Sequence, residues 1–192
     1  MGGAAAHRAS YAEYLALEAS SELRHDYIAG AIVAMAGGSI EHGRIIAQLQ
    51  YLLRVALAGK PCAVLASDVR VRIRAADRAT YPDLMVVCDE IKRDPDDPHA
   101  IVNPTAIIEV LSDSTATLDR EDKSADYRRL VSLREYVLVS QRERRVELFR
   151  RTGPRRWQLE EVVTGERFAL SSLEVELAVD ELYRDALGSI VA

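Results

Sequence analysis

The stretches Tyr81-Pro82-Asp83-Leu84-Met85-Val86-Val87 and Thr105-Ala106-Ile107-Ile108-Glu109-Val110-Leu111-Ser112 each read as a buried strand carrying one acidic residue that such a strand disfavours. An isolated carboxylate in a dry sheet is costly, so it shifts its pKa, finds a cation or coordinates a metal. Pro82 suits the entry of a strand, where a missing ladder N–H is tolerated, and this puts Asp83 near a strand end. Glu109 falls mid-run, with Ile107 and Leu111 on its own face. Two such acids on adjacent strands would suit magnesium, which takes oxygen ligands and is commonly bound through one or two carboxylates.

Outward from these strands the pattern is that of a mixed α/β chain. Ser10 and Glu13 have capping-box spacing before Tyr14, Leu15 and Leu17, which predicts a helix over 11–20. His25–Ile28 and Ile32–Met35 read as short strands turning at Ala29-Gly30. Ser39 stands as N-cap of a long amphipathic helix reaching Ala58, with Ile45, Leu49, Leu53 and Leu57 among its apolar positions. Cys62 to Arg74 then alternates, Val69, Val71 and Ile73 against Asp68, Arg70, Arg72 and Arg74. This predicts one half-buried strand, turning through Ala75–Thr80 into the Asp83 strand. Asp89–Pro104 reads as a polar surface loop. Leu118–Leu130 predicts a charged helix, Tyr136–Val139 a strand, and Val146–Phe149 with Trp157–Val163 a hairpin around Gly153-Pro154. A last helix is predicted near Val179–Leu187. No repeat or low-complexity stretch interrupts residues 1–192, so a single domain is expected.

The 192 residues are 48% hydrophobic and 29% charged, which suits a folded chain with a full core and excludes a disordered one. No run approaches the roughly 18 apolar residues of a membrane span. The first residues lack the basic-then-apolar pattern of a signal peptide, and Ala6 stands where a myristoylation motif wants Ser or Thr. Cys62 and Cys88 lie in apolar runs without ligand spacing, so they are expected as small buried hydrophobes, neither disulfide nor zinc site. A reducing, cytoplasmic setting is the matching default.

A net charge of −5 does not advertise a nucleic-acid binder, yet charge is uneven. Arg142, Arg144, Arg145, Arg150, Arg151, Arg155 and Arg156 face only Glu143 and Glu147 in their segment. This is either a solvated hairpin or a phosphate-facing patch, with Arg150, Arg151, Arg155 and Arg156 as the DNA-binding candidates. Asp119, Lys123 and Tyr127 are spaced to share one helical face. Lys123 either pairs with Asp119 or reaches the carboxyl end of the Glu109 strand, where an ammonium could orient a water and offset phosphate charge.

Taken together, Tyr81–Asp89, Ile107–Thr115, Asp119–Lys123, Tyr127–Arg129 and Leu133–Tyr136 resemble the Uma-two restriction-endonuclease family of the PD-(D/E)XK nuclease superfamily. The resemblance runs from about Ser10 to Val179. It implies a restriction-endonuclease-like mixed central β-sheet flanked by helices, here with an additional C-terminal β-hairpin. It also implies magnesium-dependent phosphodiester hydrolysis, with manganese as a substitute ion, Asp83 as the motif aspartate and Glu109 as the second acid. The superfamily lysine two residues after that acid is Leu111 here, and Lys123 looks like a lysine relocated to the neighbouring helix. His42 matches a family Glu-His pair with Glu41. Asp26 keeps one acid of a region where Ala29 and Ala31 replace two others. Both are further site candidates.

The expected function is therefore a metal-dependent endodeoxyribonuclease, with Asp83, Glu109 and Lys123 catalytic and the two acids holding the metal. Nucleic acid, DNA first, is the expected partner, with no membrane and with a homodimer for cutting two strands. The alternative is a catalytically silent nucleic-acid-binding or scaffold protein of the same fold, favoured by Leu111 and the two alanines. A hydrolase of small phosphorylated substrates is a third reading.

Overall fold

Helix α1 (Tyr11–Ser20) starts where its capping box closes: Glu13 N–H donates to Ser10 Oγ, and Ser10 N–H donates back to Glu13 Oε2 at 2.6 Å. Strands β1 (His25–Ile28) and β2 (Ala31–Ala34) form a hairpin whose two turn residues, Ala29 and Gly30, both have positive φ, as a tight primed turn demands. A side chain at Gly30 would also lie 2.7 Å from Arg8 Cβ. Helix α2 (Ile40–Ala56) is capped by Ser39, whose Oγ accepts from His42 N–H at 3.1 Å. The computed structural model describes residues 8–35, 37–112, 119–184 and 186.

The chain continues through β3 (Cys62–Ala66), β4 (Arg70–Ile73), β5 (Arg78–Thr80), β6 (Leu84–Cys88), β7 (Arg93–Asp94), β8 (Asp97–Ile101) and β9 (Ala106–Leu111). A π-helical turn (Asp119–Lys123) runs into the short helix α3 (Ser124–Tyr127). Then follow β10 (Glu135–Ser140), β11 (Arg145–Gly153), β12 (Arg156–Val163), β13 (Arg167–Leu170), β14 (Val175–Ala178) and α4 (Val179–Leu182).

The central sheet has the order β12-β11-β10-β9-β6-β3, and a second sheet has the order β2-β1-β5-β4-β8-β7. Neighbours in the central sheet are antiparallel except β9 and β10, which run parallel. A parallel pair cannot be joined by a tight turn, so the chain crosses over through the π-turn and α3. Ile108 and Val110 of β9 face one core with α2, α4 and the β13–β14 hairpin. Ile107 and Leu111 face another with Val71, Ile73, Tyr127, Leu130 and Leu133. Glu109 shares that second face by alternation, so its carboxylate enters the layer between the two sheets.

Several expectations are corrected here. The alternation from Cys62 to Arg74 is not one strand: β3 belongs to the central sheet and β4 to the second, with a crossing at 67–69. Arg70 and Arg72 are each only 8% exposed, so their face is covered, not solvated. Alternation reports two unlike faces without saying which sheet owns them. The stretch 89–104 is not a plain loop but contains the β7–β8 hairpin, drawn into the second sheet because Asp94 and Asp97 are buried against Arg74 and Arg70. Cys62 and Cys88 are register partners in β3 and β6 and form a disulfide, against expectation. Sheet register brings them together, so their lack of motif spacing was no guide, and the cysteine usage carries no argument for a reducing compartment. The expected helix start at Leu118, the side chain of Asp119 and the expected helix end at Leu187 lie outside the described residues. Among those described, no helix is long and apolar enough to cross a membrane.

Candidate active site

Strands β6 and β9 pair antiparallel with Leu84 opposite Ile108, which sets Asp83, just before β6, beside Glu109. Each acid is held by the other's strand. Val110 N–H donates to Asp83 Oδ2 at 2.7 Å, and Asp83 N–H donates to Glu109 Oε2 at 3.3 Å. Glu109 is 2% exposed, so its charge needs compensation. Tyr127 Oη donates to its Oε1 at 2.8 Å, and Lys123 Nζ reaches the same oxygen at 3.2 Å. Lys123 and Tyr127 are four residues apart across the junction of the π-turn and α3, so both side chains point into the interlayer. Lys123 therefore pairs with the central acid, as the relocated-lysine reading requires. Leu111, at the usual lysine position, is packed in the core.

Burial pushes the Tyr127 hydroxyl well above its ordinary pKa, and the Glu109 charge adds to this. Tyr127 is thus a permanent donor to Glu109. His42 Nε2 lies 3.2 Å from Asp83 Oδ2. This hydrogen bond raises the imidazole pKa against the opposing effect of burial, and the charges of Asp83 and Glu109 act in the same direction. The imidazole is set by the capped start of α2 and by Gly38, where a Cβ would lie 2.7 Å from His42 Nδ1.

Asp26 does not join the two acids directly. It is 8% exposed on β1, and its charge is felt at Tyr127. Sequence reasoning missed Arg78, 1% exposed, whose Nη1 donates to Asp126 Oδ2 at 2.9 Å and so ties α3 to the second sheet. Nothing local in the sequence singles it out, because its arginine is buried only by the apposition of the sheets.

Among the described residues no set of three His, Cys, Asp or Glu side chains gathers as a metal cage. Two adjacent carboxylates nevertheless fit a hard ion that keeps several waters and binds through one or two acids. Asp83 keeps a side-chain exposure of 17%, which leaves this edge of the pair open to solvent.

The arginines of the β11–β12 hairpin do not form one patch. Glu109 is level with Leu138 and Glu147, whereas Arg150 is level with Glu135 and Ala106. At about 3.3 Å per residue this sets Arg150 roughly 10 Å along the sheet from the acids, with Arg155 and Arg156 farther still. Arg151 donates to the carbonyls of Leu133, Pro154, Arg128 and Leu130. Arg150 binds Glu160 and the Ala169 carbonyl. Arg142 and Arg144, in contrast, lie at the acid end, where neighbouring Gln141 meets Ser39 of the α2 cap.

This chain matches, over residues 11–180, the model of the family Uma2, described as "Putative restriction endonuclease". The chain belongs to the Uma2 family. Two relatives from Synechocystis sp. (strain ATCC 27184 / PCC 6803 / Kazusa) are both described as uncharacterized. Protein sll1609 is 36% identical over 79% of this chain and 86% of its own length. Protein slr1290 is 34% identical over 90% of each. A crystal structure from Anabaena variabilis ATCC 29413, described as "a putative nuclease belonging to DUF820", superposes with a TM-score of 0.76. It covers 92% of this chain and 98% of its own at 17% identity, which establishes the shared fold. The fold of this Uma2 member is restriction-endonuclease-like, and the family's description points to a nuclease.

Proposed function

We propose that this Uma2 protein is a magnesium-dependent endonuclease that hydrolyses phosphodiester bonds in DNA. The observation that carries this reading is the Asp83–Glu109 pair on neighbouring strands with Lys123 on the same acid. Asp83 and Glu109 would hold the ion. When bound, the metal supplies Lewis-acid stabilisation of phosphate charge and lowers the pKa of attacking water. Lys123 orients that water and offsets the negative charge that grows on the phosphoryl oxygens. Tyr127 holds Glu109 in place, and His42 steadies Asp83 while adding positive charge at the open edge. A symmetric dimer would present two such sites to the two strands.

Asp83→Asn and Glu109→Gln each test this assignment. Each change removes a charge and keeps the side chain's size, and the amide in Asp83→Asn retains an oxygen for Val110 N–H. Plasmid cleavage in magnesium should be lost in both. The melting temperature of metal-free Asp83→Asn should stay at or above that of the wild type, whereas Glu109→Gln, which removes the charge paired with buried Lys123, should lower it. Wild-type turnover in either variant would end the assignment. The silent-scaffold alternative rests on Leu111 and on Ala29 and Ala31. The approach of Lys123 from the π-turn to Glu109 speaks against the first of these, and the cleavage assay decides between the readings.

A further inference from the structure

Two clefts open at the end of the central sheet away from the acids, and they share Asn103, Ser132 and Arg134 in their walls. One, of about 630 Å³, adds Arg150 and Arg151. The other, of about 640 Å³, adds Arg74, Lys92 and Arg129. Thr105, in the wall of the first, lies four residues before Glu109 along β9. At about 3.3 Å per residue this is roughly 13 Å from the carboxylates.

What distinguishes this surface is how its cations are held. Arg74 is neutralised by Asp94 and Asp96, and Arg150 lies 3.6 Å from Glu135. Arg151 is held by four backbone carbonyls, whereas Arg129 donates to the Ala75 carbonyl at 2.7 Å and also lies 3.8 Å from Asp126. Carbonyl oxygens fix a guanidinium in place without cancelling its charge. Burial lowers the Arg151 pKa, and the charge of Arg134, in the wall of the same cleft, lowers it further. Of the two acids in the walls, Glu135 is 1% exposed and already takes Arg150 and the Ser172 hydroxyl, leaving Asp89. Lys92, Arg134 and Arg151 are thus gathered from separate segments, with Asp89 the one accessible acid among the described residues of the walls. In a chain of net charge −5 this is a local surplus that a polyanion would fill.

The geometry points to a binding track for the phosphodiester backbone of duplex DNA that flanks the bond held at Asp83 and Glu109. This rests on the nuclease reading and adds a second contact region to it. Two connected clefts suit a run of phosphates better than one small anion. The 13 Å offset equals roughly four base-pair steps at about 3.4 Å each, so a substrate must extend at least that far past the bond to engage the track.

The test compares the wild type with Lys92→Gln/Arg134→Gln, two exposed residues, and with Arg54→Gln/Arg184→Gln on the opposite helical cover. Fluorescence anisotropy with labelled 30-base-pair and 6-base-pair duplexes, in EDTA across a salt series, reads affinity and salt slope. The cleft variant should bind the long duplex at least tenfold more weakly, with a slope shallower by about two units. The control should match the wild type, and the two proteins should differ less on the short duplex. Arg134→Glu should weaken long-duplex binding further, and equal melting temperatures would exclude unfolding. Equal affinity and slope in wild type and cleft variant, or no duplex binding by the wild type, would overturn the inference. A wild type that binds through the cleft but never cleaves would sink the nuclease reading and leave the track. Cleavage with an unaltered salt slope would do the reverse.

Discussion

Two clusters of buried charge lie on opposite sides of the second sheet, and they are built to different ends. Under α1, Arg70 grips Asp97 with Nε and Nη2 at 2.8 and 2.9 Å, while its Nη1 donates to Tyr81 Oη. Tyr11 adds a bond to Asp97, and Tyr81, His25 and Arg70 all serve Glu18. The hydrogen bonds of that cluster close on themselves, with a bidentate pair and tyrosine donors answering both acids, although Glu18, Arg70, Tyr81 and Asp97 also line a cleft of about 410 Å³. In the interlayer, Asp83 and Glu109 sit side by side, with Lys123, Tyr127 and His42 as donors and with Asp83 facing solvent. Both clusters bear the cost of desolvating ions. The lesson is that burial of charge alone does not mark a site. Two acids each held by the other's strand, with an open edge, are the arrangement on which the proposed site rests.

Breaking the closed cluster should give the largest effect, and on stability only. Arg70→Met strands Asp97 and Glu18, and should cost about 3–5 kcal/mol in urea unfolding. Cleavage by the protein that remains folded at low temperature should persist, and a selective loss of turnover would erase the distinction between the clusters. The same cluster sets an acid limit. Burial pushes the Asp97 carboxyl up, but the bonds from Arg70 and Tyr11 outweigh it and hold the pKa below the usual value. Its contribution is therefore present above the ordinary carboxylate pKa and fades as pH falls through the lowered one. Asp97→Asn should flatten that part of the stability profile.

Lys123→Ala comes next and should act on turnover, beyond the stability cost of removing a cation from buried Glu109. Turnover should fall about a hundredfold or more, the usual scale for a positioned charge-stabilising group, with a far smaller change in DNA affinity. Leu111→Lys in that background returns an ammonium to the same interlayer, and partial rescue would sharpen the relocated-lysine reading. Unchanged turnover in Lys123→Ala would remove the residue from the site.

A smaller effect is expected of Tyr127→Phe, which deletes one hydrogen bond to a buried acid while keeping the ring. A loss of about tenfold in kcat with little change in KM would mark a positioning role, since about 1.5 kcal/mol is typical of a bond to a charged partner. A pure stability change would place Tyr127 with the closed cluster instead. The smallest effect concerns His42 in the metal-free protein. Its folded pKa is raised, so its contribution is full below the unfolded value near 6.5 and is lost as pH climbs through the raised one. His42→Gln should remove that slope from the melting profile, and a profile identical to wild type would show that the pairing with Asp83 carries no weight.

The chain itself determined the local elements, because caps, turn residues and apolar periodicity act over a few residues. The capped starts of α1 and α2, the Ala29-Gly30 turn, the strands bearing Asp83 and Glu109 and the long β11–β12 hairpin were all legible in this way. The β13–β14 hairpin was not separated from its surroundings. Lys123 could be ranked as a candidate from its spacing to Tyr127, but its bond to Glu109 could not be read, because that depends on how the crossover packs into the interlayer. Only the tertiary structure decided that β3 and β4 part company between two sheets, that Asp94 and Asp97 are buried, and that Cys62 meets Cys88. It also moved Arg150 and Arg151 to the end of the sheet away from the acids and buried Arg78 beside Asp126. The physical reason is common to all of these. Register and sheet order are settled by long-range pairing and by which charges find partners on burial, and a linear pattern of faces carries neither.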